Sequence, residues 1–210
     1  ILNGLDLDEF AHLPPRGTFS AGCPRMGERT RLVLYLGRLH QRKGINYLIE
    51  AFAHFLEQES DCLLAIVGPD DGEQGKLESL SRRMELTERV FFAGPRYGQA
   101  KLAALRDADV LALPAIHEIF GLVPFEALMC GTPVIVADDS GSGYIIREAQ
   151  AGYLVPYGDV GALASALAQA LAPQSEAQQM VRAGQAYVRE HLDWDVVIEE
   201  LERVYREAMC

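Results

Sequence analysis

The sequence predicts a doubly wound α/β fold, in which a parallel sheet of about six strands carries helices on both faces and ends in a helical C-terminal tail. From residue 31 onward, short runs rich in Val, Ile and Leu alternate with longer helical patterns, with the period of about 25–30 residues that is typical of βα units. Most of these runs are apolar on consecutive residues, as expected of parallel strands covered on both faces. A hydrophobic fraction of 49% and a charged fraction of 23% are ordinary for a globular protein and exclude intrinsic disorder.

Six apolar runs are the candidate strands. They are Leu32–Leu36, Leu63–Val67, Val90–Ala93, Val110–Leu113, Val134–Ala137 and Tyr153–Val155. An apolar stripe at helical spacing predicts a helix over Ile45–Leu56, and Leu122–Met129, which is apolar nearly all round, predicts a buried one. Further helices are predicted around Val160–Leu171, over Glu176–Glu190 and over Val196–Glu207. Either Asp193 or Asp195 is placed to cap the last helix.

The sequence divides into three parts. Residues 1–30 are punctuated by Gly and Pro and predict an interdomain linker or N-terminal extension that adds little to the core. Residues 31–192 form the predicted domain, and residues 193–210 form a C-terminal helix. The sequence starts with Ile1 rather than Met and holds a single set of strands, so we expect it to be a piece of a longer protein.

Composition excludes several classes of function. No apolar run approaches the roughly 18 residues of a membrane-spanning helix, and no leader of basic and then apolar residues opens the chain. A net charge of −11 argues against a nucleic-acid partner. The scattered cysteines show no C-x-x-C pair and suit a reducing compartment, so we expect a cytoplasmic location. Peripheral contact of the full protein with the inner face of a membrane is left open. The cysteines are Cys23, Cys62, Cys130 and Cys210.

Polar side chains follow two of the predicted strands. If the strand order is 3-2-1-4-5-6, the order reverses between the first and fourth strands, and ligands bind at their carboxyl ends. Arg38 and Lys43 follow the first strand, and Glu118 and Glu126 follow the fourth. A helix starting near Gly121 would add backbone N–H groups to the same crevice. We therefore expect an anion to bind at this point.

A diphosphate with a sugar ring at each end suits these residues. Arg38 offers a planar fork to phosphate oxygens, and Lys43 adds a compact charge. The carboxylates of Glu118 and Glu126 are suited to sugar hydroxyls. The alternatives are a solvated cationic loop and an exposed helix glutamate, although burying a carboxylate among apolar residues is costly without a partner. We interpret Asp138-Asp139 as part of a solvated Gly/Ser-rich loop rather than as metal ligands.

Several segments carry a family resemblance. They are Tyr35–Leu39 with Lys43-Gly44, Glu118–Ala127, Cys130–Val134 and Gly152–Asp159. On these motifs the chain resembles, over almost its entire length, the C-terminal, donor-binding domain of a retaining glycosyltransferase of the GT4 (group 1) family. Such a domain has a Rossmann-like sheet and is one half of a GT-B fold. The two glutamates, with seven residues between them, are the most specific part of the match.

The resemblance implies a role for each candidate residue. Arg38 and Lys43 would bind the diphosphate of a nucleoside-diphosphate sugar, Glu118 the hydroxyls of the transferred sugar, and Glu126 the ribose. Backbone groups of Gly37, Phe120, Gly121 and Leu122 would complete the donor site. The base is expected near Gly68–Asp71 and Gly94–Tyr97. The family needs no metal for catalysis, so we expect neither a metal nor another cofactor.

One departure and two alternatives accompany this interpretation. Tyr144 stands after the fifth strand where the family commonly has a carboxylate, and a phenol is bulkier and cannot accept two sugar hydroxyls as a carboxylate does. We expect the partner of this chain to be the acceptor-binding N-terminal domain of the same protein. Without that domain, the chain should bind a nucleotide sugar but transfer nothing. The alternatives are a nucleotide-sugar epimerase of GT-B-like fold and a non-catalytic nucleotide-sugar-binding module.

Overall fold

A parallel sheet forms the centre of the molecule. The computed structural model describes residues 2–24, 26, 27, 29–173 and 175–209, and these residues form one six-stranded sheet in the order β3-β2-β1-β4-β5-β6. The strands are β1 (Arg31–Leu36), β2 (Cys62–Val67), β3 (Val90–Gly94), β4 (Val110–Leu113), β5 (Val134–Ala137) and β6 (Tyr153–Val155). The fold class predicted from the sequence is confirmed, and the strand order is the 3-2-1-4-5-6 order on which the expected ligand position depended. The order reverses between β1 and β4, where Val33 pairs with Val110 and Leu34 with Leu111.

Helices cover both faces of the sheet. They are α1 (Ile45–Leu56), α2 (Gln74–Arg83), α3 (Gly98–Asp107), α4 (Val123–Met129), α5 (Gly141–Glu148), α6 (Val160–Leu171), α7 (Ala177–His191) and α8 (Trp194–Ala208). α1 packs against α2 and α6, whereas α4 packs against α3 and α7. Of the two predicted caps, Asp193 is the one that caps α8, because its side chain accepts a hydrogen bond from the backbone N–H of Asp195. Within the described ranges, no helix combines the length and the apolar character needed to cross a membrane.

The segment after β5 differs from the sequence prediction. A Gly/Ser-rich loop was expected, but Gly141–Glu148 forms α5. The side chain of Ser140 caps the helix by accepting the N–H of Gly143 at 2.9 Å, and Ile145 and Ile146 bury their side chains beneath it. Capping and burial therefore outweigh the low helix propensity of the two glycines. The pair Asp138-Asp139 forms the turn between β5 and this helix.

The N-terminal segment also differs from the prediction. Residues 1–30 were expected to add little to the core, yet Leu5, Phe10 and Cys23 are buried. The N–H of Leu5 donates to the carbonyl oxygen of Leu192, just before α8. Leu5 and Phe10 join the main hydrophobic core, but they follow no helical or strand spacing in the sequence, so hydrophobic periodicity does not predict their burial. The role of the segment as a linker between two domains stays a prediction.

Asp107, at the end of α3, holds this segment in place. Its carboxylate is buried and accepts backbone N–H groups of Gly17 and Phe19, each at 2.8 Å, and of Ser20 at 2.9 Å. A buried carboxylate with three such donors is a strong anchor, because charged hydrogen bonds contribute roughly 1.5–3 kcal/mol each. The irregular stretch is therefore fixed to the domain by a side chain some 90 residues away in sequence.

The start of α5 provides a test of the fold. A Cβ at Gly141 would lie 1.8 Å from the carbonyl oxygen of Ile119, whereas a Cβ at Gly75, on the exposed side of α2, meets nothing within 4 Å. We expect Gly141→Ala to lower the free energy of unfolding by about 1–3 kcal/mol, the usual cost of overpacking. Gly75→Ala should be neutral or stabilising by up to about 1 kcal/mol, since Ala favours helix. Urea titration of both variants measures the difference, and equal effects would contradict the close approach.

Candidate functional site

Two loops meet at the carboxyl edge of the sheet where the strand order reverses. The loop from β1 to α1 spans residues 37–44, and the loop from β4 to α4 spans residues 114–122. They are joined by a hydrogen bond of 2.9 Å from the N–H of Ile116 to the carbonyl oxygen of Arg42. Gly44 has a φ of +66°, and a Cβ there would lie 2.2 Å from the carbonyl oxygen of Pro114. Only glycine permits both this conformation and this approach.

The first loop is supported from below by Tyr35. Its side chain is fully buried, and its hydroxyl donates to the carbonyl oxygen of Arg38 at 2.8 Å. Burial raises the pKa of Tyr35 and the charge of Glu118 raises it further, while Arg38 lowers it. The phenol therefore stays neutral and acts as a hydrogen-bond donor to the loop. The backbone N–H of Gly37 donates to Val67 at the end of β2, which fixes the other side of the loop.

The side chains of Arg38 and Lys43, both on the first loop, form ion pairs with different carboxylates. The Arg38 side chain is 66% exposed, and its Nη1 lies 3.2 Å from Oδ2 of Asp71 in the loop between β2 and α2. Lys43 instead forms an ion pair with Glu118, and each of these two side chains is only 20% exposed. The two predicted cations are therefore on one loop, but they are paired separately.

Glu118 is fixed by its backbone as well as by Lys43. Its carbonyl oxygen accepts the N–H of Gly141 at 2.8 Å, which ties the second loop to the start of α5. Its Oε2 contacts Lys43, and no described residue donates to Oε1. Because no fully buried side-chain oxygen or nitrogen of the described residues lacks a partner, Oε1 keeps some contact with solvent, and the side chain as a whole is 20% exposed. The carboxylate can thus accept hydrogen bonds from a bound hydroxyl while it keeps its lysine.

Glu126 lies in α4 and is more deeply placed. It is 9% exposed, and its Oε1 lies 3.0 Å from Nζ of Lys101 on α3. Lys101 also contacts Glu9, in a short 3-10 helix of the N-terminal segment, at 3.4 Å. Burial lowers the pKa of Lys101, but the charges and hydrogen bonds of Glu126 and Glu9 outweigh burial and raise it. Lys101 is therefore a stable cation beside Glu126.

The remaining predicted residues border these ion pairs. Phe120 stacks on Phe125 with ring centroids 5.7 Å apart, and Leu122 is the N-cap of α4. The helix begins at Val123, two residues after the start expected near Gly121. Tyr144, in the first turn of α5, is 65% exposed.

The predicted base-binding loops have defined structure. The carboxylate of Asp70 accepts backbone N–H groups of Gln74, Glu73 and Gly72 at about 3 Å, and these bonds lower the pKa of Asp70. Asp70 is thus occupied in ordering the start of α2. Tyr97, at the end of the predicted base-binding loop Gly94–Tyr97, has an exposed ring.

The sequence predicted that the two loops lie side by side, but it did not predict three residues that form ion pairs at the site: Asp71, Lys101 and Glu9. The cost of burying Glu126 indicated that its carboxylate needs a partner, but not that the partner is a lysine. Lys101 lies 25 residues before Glu126, however, and no local spacing relates the two. Asp71 and Glu9 carry no signal that distinguishes them from other surface carboxylates.

Comparisons with known proteins agree with this architecture. The chain matches the family model "Glycosyl transferases group 1" over residues 24–187. It is 38% identical over 207 residues to the phosphatidyl-myo-inositol mannosyltransferase of Mycobacterium leprae, a match covering 98% of this chain and 52% of that protein. Sucrose-phosphate synthase from Thermosynechococcus elongatus superposes with a TM-score of 0.81 at 30% identity, over 99% of this chain and 51% of that one.

A third comparison concerns the fold alone. HepE from Anabaena, solved in complex with UDP-glucose, superposes with a TM-score of 0.83 at 23% identity, over 97% of this chain and 56% of that one. The chain thus spans about half the length of the proteins it matches. The resemblance identified from the motifs is confirmed by a family model that covers most of the domain. The chain belongs to the glycosyl transferase group 1 family, with the Rossmann-like sheet of a GT-B fold.

Proposed function

We propose that this chain is the donor-binding half of a retaining glycosyltransferase that moves a sugar from a nucleoside-diphosphate sugar to a hydroxyl acceptor. One observation carries the proposal. Glu118 and Glu126 each hold a lysine with one carboxylate oxygen, and no described residue donates to the other oxygen, beside the point where the strand order reverses. This position is where open α/β sheets bind their ligands.

Arg38 and Lys43 are the proposed ligands of the diphosphate. The exposed pair of Arg38 with Asp71 is of the kind that contributes only about 0–1 kcal/mol, so Arg38 can exchange it for phosphate oxygens. A charged hydrogen bond to phosphate contributes roughly 1.5–3 kcal/mol in return. Both cations would stabilise the negative charge that develops on the leaving diphosphate as the sugar departs.

The carboxylates are proposed to bind the two sugar rings. Glu118 lies beside Lys43 and would accept hydroxyls of the transferred sugar, next to the diphosphate. Glu126 would accept the ribose hydroxyls. In a retaining transfer with front-face departure, the acceptor attacks from the side that the diphosphate leaves, so Glu118 orients the sugar and does not attack it.

The acceptor is proposed to bind outside this chain. The relatives are about twice as long as the region they share with it, and the described residues form one sheet. We therefore expect the 210-residue chain to bind the donor without turning it over. Incubation with a panel of nucleotide sugars and hydroxyl acceptors, followed by mass spectrometry, checks this. Robust glycoside formation by the isolated chain would contradict it, and epimerised donor would favour the epimerase alternative.

The diphosphate contacts can be tested by charge removal. Arg38→Ala and Lys43→Ala should each weaken binding of UDP or GDP about tenfold or more, because each removes a charged hydrogen bond. Arg203→Ala, which removes an exposed cation from α8, serves as the matched control and should leave affinity unchanged. Isothermal titration calorimetry measures the affinities. A folded Arg38→Ala/Lys43→Ala double variant with wild-type affinity would overturn the assignment.

Substitution of the two glutamates should affect the binding of different ligands. Glu126→Ala should weaken a bare nucleoside diphosphate and its nucleotide sugar alike, by about 1–3 kcal/mol, since it strands the ribose hydroxyls of both. Glu118→Ala should spare the bare nucleoside diphosphate, because it also frees Lys43 from a competing carboxylate, and should remove the added affinity of the sugar.

Four titrations, two variants against two ligands, distinguish these effects, with thermal melts as controls for folding. The two ligands are the nucleotide sugar that most stabilises the wild-type chain in a thermal screen and the nucleoside diphosphate from which it is built. If Glu118→Ala weakens both ligands equally, Glu118 does not bind the transferred sugar.

A further inference from the structure

The buried position of Glu126 poses an electrostatic problem. A carboxylate that is 9% exposed loses most of its hydration, and it remains charged only with a close partner. Glu126 is surrounded on α4 by buried apolar residues, among them Phe125 and Ala127. Its position in the fold therefore depends on the cation that faces it.

Lys101 is that cation, and it contacts only one of the two carboxylate oxygens of Glu126. Nζ lies 3.0 Å from Oε1 of Glu126, and no described residue donates to Oε2. Since no fully buried side-chain nitrogen or oxygen of the described residues lacks a partner, Oε2 is not completely buried. Lys101 thus holds one oxygen of the carboxylate and leaves the other without a donor among the described residues.

Glu9 gives Lys101 a second and weaker contact. The distance is 3.4 Å, and the Glu9 side chain is 49% exposed, so solvent screens this pair. The side chains of Lys101 and Glu126, by contrast, are both largely shielded. Removing Glu9 would therefore take a carboxylate from Lys101 while leaving the Lys101–Glu126 pair in place.

We propose that Lys101 is a positioning residue that fixes the Glu126 carboxylate for a ribose diol, and thereby makes the chain select ribonucleotides over deoxyribonucleotides. The inference rests on the proposed role of Glu126 in ribose binding. Lys101 touches the carboxylate on the side away from the free oxygen, so it acts through Glu126. Without its charge, the buried carboxylate takes up a proton or turns toward solvent, and the acceptor for the diol is lost.

The experiment measures a ratio of affinities. UDP and GDP are each titrated against their 2′,3′-dideoxy analogues with the 210-residue chain. We expect the wild type to prefer the ribonucleotide by about tenfold or more, as for a charged hydrogen bond to a hydroxyl. Lys101→Met should reduce this preference to about twofold or less, while Lys101→Arg, which keeps the charge, should retain most of it. Glu9→Gln is the matched control and should keep the wild-type ratio.

The ratio distinguishes positioning from a merely structural role. A structural role would lower the melting temperature of Lys101→Met without changing the preference, and a folded variant with the wild-type ratio would overturn the inference while leaving the proposed function intact. If Lys101→Met does not fold, Lys101→Gln is judged by the same ratio. If the wild type binds no nucleoside diphosphate at all, the proposed function itself fails.

Discussion

The candidate site depends on the close approach of backbone to backbone at the carboxyl edge of the sheet. The reversal of strand order between β1 and β4 opens this edge, and two contacts then close the loops onto each other. Gly44 lets one loop pass the carbonyl of Pro114, and Gly141 lets the start of α5 pass the carbonyl of Ile119. Because the contacts are made by main chain, Lys43 and Glu118 project from fixed positions.

The ion pairs of the site differ in how far they are exposed to solvent. In a protein of net charge −11, each cation described here is held by a carboxylate. Arg38 and its partner Asp71 are exposed, so their pairing is weak and exchangeable. Lys101 and Glu126 are shielded, so breaking their pair would leave an uncompensated charge. This gradient fits a site in which the outer cation changes partner on binding and the inner pair stays fixed.

The N-terminal segment is hydrogen-bonded to the domain. The Asp107 carboxylate accepts hydrogen bonds from three backbone N–H groups of this segment. The N–H of Leu5 donates to the carbonyl oxygen of Leu192, the residue before the α8 cap. Glu9 reaches Lys101 from this segment. The N-terminal segment is therefore in contact both with the residue before the α8 cap and with the side chain that holds Glu126.

The sequence by itself predicted the sheet, because short runs of consecutive apolar residues such as Leu63–Val67, alternating with longer helical patterns, favour buried parallel strands. It also predicted where a ligand would bind, since Arg38 and Glu118 follow the two strands between which a 3-2-1-4-5-6 order reverses. It could not determine the helix at Gly141–Glu148, whose start depends on a Ser140 cap and on a carbonyl from another loop. The pairing of Glu126 with Lys101 likewise came only from the tertiary structure, because an ion pair between two helices has no spacing in sequence. Local periodicity fixes which backbone hydrogen bonds form, whereas contacts between side chains distant in sequence are decided by how the elements pack.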